Sequence, residues 1–594
     1  MTKDASAQIE KHDLPEWDLT DLYSGPEAPE LAADLDQAMS DSETLAGLYK
    51  GKMAQLDGAT LGQAIKSYEA IIDPLYRVMS YAQLLQAGNS ADPEIGRFYQ
   101  TTQERVNDIS TVTLFFTLEL NKIEDAVLEE QLKDAAAAHY QSWVRDIRVY
   151  RPHQLSDEME ELLHEKSVVG RASWIRLFDE LMVDMRFDVN GTPTTESDVL
   201  DMMSDKDPVV RKTGAKALGK GLKSEMRTLA LVTNTLAKDK EIEDKWRKFT
   251  APVSSRNLSN LIEDEVVEAL RSSVQDSYAS LSHRYYALKA KWFGVDQLDY
   301  WDRNAPLPDD DNRLYNWDEA RTTVLDAYHD FEPSMSKIAA TFFDKRWIDV
   351  PPREGKSSGA FSHPTVSSAH PYVLLNYHGK SRDVMTLAHE LGHGVHQVLA
   401  ADQGTLMADT PLTLAETASV FGEMLTFQSM LKAEADPARR KILLAGKVED
   451  MMNTVVRQIA FFEFETRLHA ERPKGELSAE RIGDIWMDVQ IESLGPSLRF
   501  DDDYRSFWGY IPHFIHSPFY VYAYAFGDCL VNSLYDVFQQ GHPGFQEKYL
   551  EMLKAGGTLR HQELLAPFGL DASEPQFWKR GLGVIEGFID ELEE

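Results

Sequence analysis

Residues 385–396 read Met385-Thr-Leu-Ala-His-Glu-Leu-Gly-His-Gly-Val-His396, and the placement of His389, Glu390 and His393 within them governs the rest of the reading. On a helix, positions four apart lie on one face, so the imidazoles of His389 and His393 can converge on one cation while Glu390 turns toward a water beside it. That spacing suits a zinc peptidase. With His at 17 of 594 residues, composition alone yields roughly 0.04 such matches in a chain of this length, so the pattern needs support from elsewhere.

A catalytic zinc needs a third protein ligand and a position left open for water. The extended motif with a third His six residues after the second is absent, because Leu399 stands there and His396 occupies the place of its glycine. Downstream, Leu412-Thr-Leu-Ala-Glu416-Thr-Ala-Ser-Val-Phe-Gly-Glu423 reads as a helix with two glutamates seven apart, two turns along one face. One can bind the metal while the other orients a ligand histidine, and spacing alone does not choose between them. Asp402 and Asp409 compete from a Gly- and Asp-containing connection, where a rigid ligand is less expected. His396, one turn past His393, reads as a residue that packs against the site or supports a ligand from behind, more than as a ligand itself.

Working outward from the motif, helical periodicity dominates. Val267, Leu270, Val274, Tyr278, Leu281, Tyr285 and Leu288 follow three- and four-residue steps up to Gly294, which reads as one long helix. Similar stripes run through 61–86, 103–122, 157–163, 443–472 and 479–493. Strand character is confined to Met185–Val189, before the turn pair Asn190-Gly191, and to Tyr372–Tyr377 just ahead of the zinc motif. The expected fold is mostly α with a small β-sheet beside the zinc-binding helix. The irregular stretch 182–193 suggests a boundary between an N-terminal helical lobe, 1–190, and a catalytic lobe, 191–594, with 304–312 and 351–368 as loops.

Composition narrows the function classes. The 594 residues include 61 Lys+Arg and 97 Asp+Glu, a formal charge of −36, which repels nucleic-acid backbones and anionic membranes. Most of this acidity reads as a solvated surface. A single cysteine, Cys529, permits no intramolecular disulfide and no Cys-rich metal site, leaving a metal to His and carboxylates. No apolar run long enough for a membrane span occurs and the N-terminus lacks a signal-peptide core, so a cytoplasmic protein is expected. Gly355-Lys-Ser357 is not a phosphate-binding loop, because Val350 stands where that motif has its first glycine.

The two segments His389-Glu-Leu-Gly-His-Gly-Val-His396 and Glu416-Thr-Ala-Ser-Val-Phe-Gly-Glu423 together resemble the thimet-oligopeptidase-like zinc metallopeptidases, and specifically the oligoendopeptidase F branch. The likeness extends to Trp17-Asp-Leu-Thr-Asp-Leu-Tyr23, Gly355-Lys-Ser-Ser-Gly-Ala-Phe361 and Tyr549-Leu-Glu-Met-Leu-Lys-Ala-Gly-Gly557, nearly the whole chain. It implies one zinc ion bound by His389, His393 and Glu416, with Glu423 behind a ligand histidine and Glu390 as the base. It also implies two helical lobes around a deep channel that admits only short peptides, and a His and Tyr that stabilise the oxyanion.

Those last residues map onto the segment Ile511-Pro-His513-Phe-Ile-His516-Ser-Pro-Phe-Tyr520-Val-Tyr522-Ala-Tyr524, as His513 and Tyr524, with Tyr520 the next choice. If the part after Pro518 is helical, Tyr520 and Tyr524 share a face and Tyr522 points elsewhere. Read without the resemblance, the same aromatics fit a core helix. Upstream, the strand His370-Pro-Tyr-Val-Leu-Leu-Asn-Tyr377 could lend an edge to an extended peptide, which makes His370, Tyr372, Tyr377 and the loop residue Gly359 substrate-binding candidates. The expected activity is hydrolysis of internal bonds in short unstructured peptides. A metallocarboxypeptidase or dipeptidyl carboxypeptidase, or a catalytically silent peptide-binding protein, are the alternatives, and the oligomeric state is left open.

Overall fold

Helices account for most of the chain in the computed structural model, which describes residues 14–167, 169–308 and 313–594. The first 13 residues, and positions 309–312 of the loop expected at 304–312, lie outside the described residues. Carboxylate and hydroxyl caps start several of the helices where the sequence places them. Asp57 accepts the N–H of Thr60 at the head of Gly58–Gly88, Asp207 that of Val209 ahead of the 40-residue helix Pro208–Arg247, and Ser478 that of Arg481 before Ala479–Leu494.

The chain forms two compact units, each built from three separated stretches. The first comprises Met1–Arg151, Asn312–Ala433 and Gly541–Gly569, the second Pro152–Asp311, Glu434–Gln540 and Leu570–Glu594. This division differs from a single cut near residue 190, because elements distant in sequence pair up. In the first unit Asp18 N–H donates to Arg346 O at 2.9 Å and Ser90 Oγ to Gly355 O at 2.9 Å. In the second, Lys216 pairs with Asp503 at 2.8 Å, and the stretch around 190 is a tight hairpin, Phe187–Val189 against Thr192–Thr194. Asn190 and Gly191 both take positive φ there, at 53° and 89°, as a type I′ turn requires.

The long helix expected across 267–294 is two, Asp264–Asp276 and Ser282–Phe293. All seven apolar positions of the stripe are buried, so the periodicity reports burial correctly. The intervening Ser-rich turn, where Ser280 Oγ bonds to Ser277 O, breaks the helix without turning its apolar face outward. Likewise the stripe at 443–472 belongs to Pro437–Met451 and Arg457–Glu471, joined through a wide π turn at Met452–Val456.

Within the first unit a three-stranded sheet holds β1 (Ile348–Asp349), β2 (Phe361–His363) and β3 (Tyr372–Leu374) in the order β1-β3-β2, with β1 parallel and β2 antiparallel to β3. Two sequence expectations change here. Residues 351–368 are not wholly loop, since they contain β2, and β3 offers no free edge, since both its sides are taken. The edge facing the next helix is that of β2.

Candidate metal centre

The helix α1 (Ser381–Ala400) carries the motif. It begins where Asp383 in its first turn accepts the backbone N–H groups of His378 at 2.8 Å and Lys380 at 3.0 Å, satisfying donors that a helix start leaves unpaired. Its partner, α2 (Leu412–Ala433), packs against it along most of its length. Glycines permit that approach. A Cβ on Gly392 would stand 2.4 Å from Ala418 O, and one on Gly422 would meet Tyr328 Oη at 2.2 Å. Tyr328 in turn donates its hydroxyl to Ala388 O at 2.5 Å, tying a third helix to the back of α1.

This contact brings the predicted ligands together. Oε2 of Glu416 lies 3.3 Å from His389 Nε2 and 3.6 Å from His393 Nε2, and one atom from each of the three residues falls within 4.8 Å of the others. Donors bound at about 2.0–2.1 Å around a tetrahedral centre stand about 3.3 Å apart, so two imidazoles and one carboxylate at these separations fit a zinc ion. Behind them, Glu423 Oε2 sits 3.2 Å from His389 Nδ1, which leaves Nε2 to face Glu416. Glu416 thus stands with the two imidazole Nε2 atoms, while Glu423 meets His389 from the far side of its ring.

The electrostatics match. Burial raises the carboxyl of Glu390 to about 7, with the negative charge of Glu416 and Glu423 adding to it, and His389 and the N–H of Ser362 opposing. Burial would raise Glu416 too, but His389, His393 and the hydroxyl of Ser419 draw it down to about 2. His389 is held well above its ordinary value: its burial opposes protonation, and its bonds to Glu416 and Glu423 outweigh that. His396 is buried, lowered to about 4 chiefly by that burial, and hydrogen-bonded to the Leu553 backbone.

Three contributors escaped the sequence reading. Ser419 donates to Glu416 Oε2 at 2.7 Å, and its i+3 position on the helix was a signal for this. Ser362 of β2 aims its backbone N–H at Glu390 and its hydroxyl at Gln397, 2.9 Å away, which docks the sheet edge on α1. Gly392 sits inside the motif itself.

The substrate-binding candidates fare differently. Tyr372 is fully buried and donates to Asp18 O at 2.8 Å, and Tyr377, equally enclosed, donates to Tyr315 O at 2.9 Å. His370 stacks on Trp347 with ring centroids 3.6 Å apart and bonds to Asp21. The two tyrosines are thus engaged in packing, whereas His370 also lines a cavity of the first unit. Gly359 alone is exposed, at φ 83° with nothing within 4 Å of a Cβ built there. The adjoining Lys356 is buried against Asp349 at 3.0 Å, so the Gly-Lys-Ser stretch is a structural ion pair. Asp402 is exposed in a short turn.

In the second unit, His513, Tyr520 and Tyr524 do form a cluster. His513 Nε2 lies 3.4 Å from Tyr524 Oη, and the rings of Tyr520 and Tyr524 are 5.4 Å apart. The helix Tyr522–Gln539 starts later than Pro518, after Phe519 at φ 58°, so Tyr520 precedes it. Tyr522 turns away, as anticipated, into the core, where Asn260 donates to its oxygen at 2.8 Å. Burial, with the charges of Arg457 and His516 adding to it, lowers His513 below its ordinary value.

The model of peptidase family M3 matches residues 201–584, and that of oligopeptidase F matches 119–187. The chain belongs to peptidase family M3. As a member of that family it is a peptide-hydrolysing metallopeptidase. It is 27% identical to oligopeptidase PepF of Bacillus subtilis over 97% of this chain and 87% of that one, and 27% identical to group B oligopeptidase PepB of Streptococcus agalactiae over 97% and 96%. The M3 fold is shared with oligoendopeptidase-F from Enterococcus faecium, at a TM-score of 0.71 and 22% identity, covering 94% of this chain and 97% of that one. Among the described residues no helix is long and apolar enough to cross a membrane.

Because Glu423 fixes the ring of His389, Glu423→Gln is expected to weaken metal binding about 10–100-fold with the helices intact. Competition against a chromophoric chelator measures this, and an unchanged affinity would deny Glu423 that role.

Proposed function

We propose that this M3 peptidase is a zinc endopeptidase that cuts internal bonds of short, unstructured peptides in the cytoplasm. The observation that carries the reading is Glu416 Oε2 placed 3.3 and 3.6 Å from the two imidazoles, with Glu390 on the same helix turn. Zinc held by His389, His393 and Glu416 supplies Lewis acidity to a water and to the scissile carbonyl. Glu390, raised to about 7 by burial, is suited to take the proton from the attacking water and return one to the leaving amine. His513 and Tyr524 are the proposed donors to the carbonyl oxygen as it gains charge, with Tyr520 packed beside them. The restriction to short peptides is supported by the relatives, which are named as oligopeptidases. Cys529, the sole cysteine, is buried and its thiol is pushed up by burial, which suits a reducing compartment.

The test is mass spectrometry of products from a flexible peptide of about ten residues blocked at both ends, with a chelator and zinc add-back. Internal cleavage that chelation abolishes and zinc restores is expected. A blocked peptide left intact while its unblocked form is trimmed would establish an exopeptidase instead, and survival of both would indicate a binding protein.

A further inference from the structure

A cavity of about 500 Å³ opens inside the first unit, along the C-terminal half of α1. His393 and Ala415, the neighbour of Glu416, line it, so it adjoins the metal centre. Most of its wall is apolar, including Ile338, Trp347, Val366, Pro371 and Val398. Asp409 is the one carboxylate among the lining residues, and no lysine or arginine lines the cavity. It accepts the backbone N–H of Thr410 and forms no ion pair among the described residues, and burial raises its carboxyl above the ordinary range. The residue keeps exposed surface and stands among those that line the cavity.

The backbone that carries this carboxylate is also held in place. Gly557 donates its N–H to Met407 O at 2.9 Å, and a Cβ there would come within 2.4 Å of Asp409 O. Gly556, at φ 52°, would bring a Cβ to 2.9 Å from Ala408 O. The diglycine closing the 549–557 segment is thus needed for chain 407–409 to lie where it does.

We propose that Asp409 is a specificity-determining residue that receives the charged end of a lysine or arginine side chain close to the scissile bond, a reading that rests on the peptidase assignment. An apolar side chain filling the cavity would strip water from a carboxylate with no compensating charge. A long basic side chain lays its methylenes on the apolar wall and brings its cation to Asp409. The net charge of −36 draws such peptides toward the protein from a distance.

The test uses the full-length zinc-loaded Glu390→Gln protein, which binds peptide without consuming it. Blocked ten-residue peptides carry one arginine, moved through each position, and are matched by peptides with citrulline, which keeps the shape and removes the charge. Calorimetry is expected to show about 10–100-fold tighter binding of arginine at one position. Adding Asp409→Asn is expected to bring that ratio close to one, and adding Asp409→Glu instead to keep part of it. Equal binding of the two series at every position, no binding of either, or a ratio that survives Asp409→Asn overturns the proposal. So does an Asp409-dependent preference for a free N-terminus with none for arginine. Cleavage by the Glu390 protein is followed in parallel: an Asp409-dependent ratio without cleavage sinks the peptidase reading alone, and cleavage without the ratio sinks this one alone.

Discussion

Glu390→Gln is expected to lower kcat by about 10³-fold or more while zinc content stays at one ion per chain. The substitution keeps the volume of a side chain that is 7% exposed and still accepts the N–H of Ser362, so the docking of β2 on α1 persists. What is lost is a group able to hold and return a proton. The atoms that converge closely enough to hold a metal belong to His389, His393 and Glu416, and none belongs to Glu390. Metal analysis and single-turnover kinetics on the same preparation decide the matter. Turnover near the parent rate would remove Glu390 from the mechanism, and a loss of zinc would make it a ligand.

Gly392→Ala is expected to be nearly as damaging, though alanine is the better helix former by about 1 kcal/mol. The added Cβ would meet Ala418 O at 2.4 Å, Ser419 Cα at 2.6 Å and Ala418 C at 2.8 Å, all parts of the α2 main chain that cannot rotate aside. The helices must part, and Glu416 and Glu423 flank the point of contact. Metal sites tolerate only about 0.2 Å in ligand distance, so zinc affinity is expected to fall by at least about 100-fold, with about 1–3 kcal/mol lost from the stability of the fold. Gly446→Ala is the control. That glycine lies in Pro437–Met451 with nothing within 4 Å of a Cβ, so the same substitution should leave zinc binding untouched. Equal zinc affinity in the two variants would show that helix separation does not govern the site.

Much of the site could be read from spacing. Residues four apart on one helix, and glutamates seven apart on the next, lie on common faces whatever the surroundings, and that placed His389, His393, Glu416 and Glu423. Choosing 416 over 423 was beyond spacing, because both occupy the same face and only the depth of insertion between α1 and α2 separates them. The substrate-binding candidates show the converse. The apolar strand pattern at 370–377 correctly marked a buried run, but which neighbour covers each face is a long-range fact. Asp18 and Tyr315, remote in sequence, take the hydroxyls of Tyr372 and Tyr377.

Local chemistry therefore determined the helical character, the Asn190-Gly191 turn and the common faces that carry His389, His393, Glu416 and Glu423, because caps, turn dihedrals and the 3.6-residue period act over a few residues. The tertiary structure alone decided the rest. It split the 267–294 stripe, placed β2 rather than β3 at the sheet edge, assembled each unit from three stretches, and set Asp409 among the residues that line a cavity beside His393. Periodicity records which positions are covered, whereas the identity of the covering group depends on contacts between segments hundreds of residues apart.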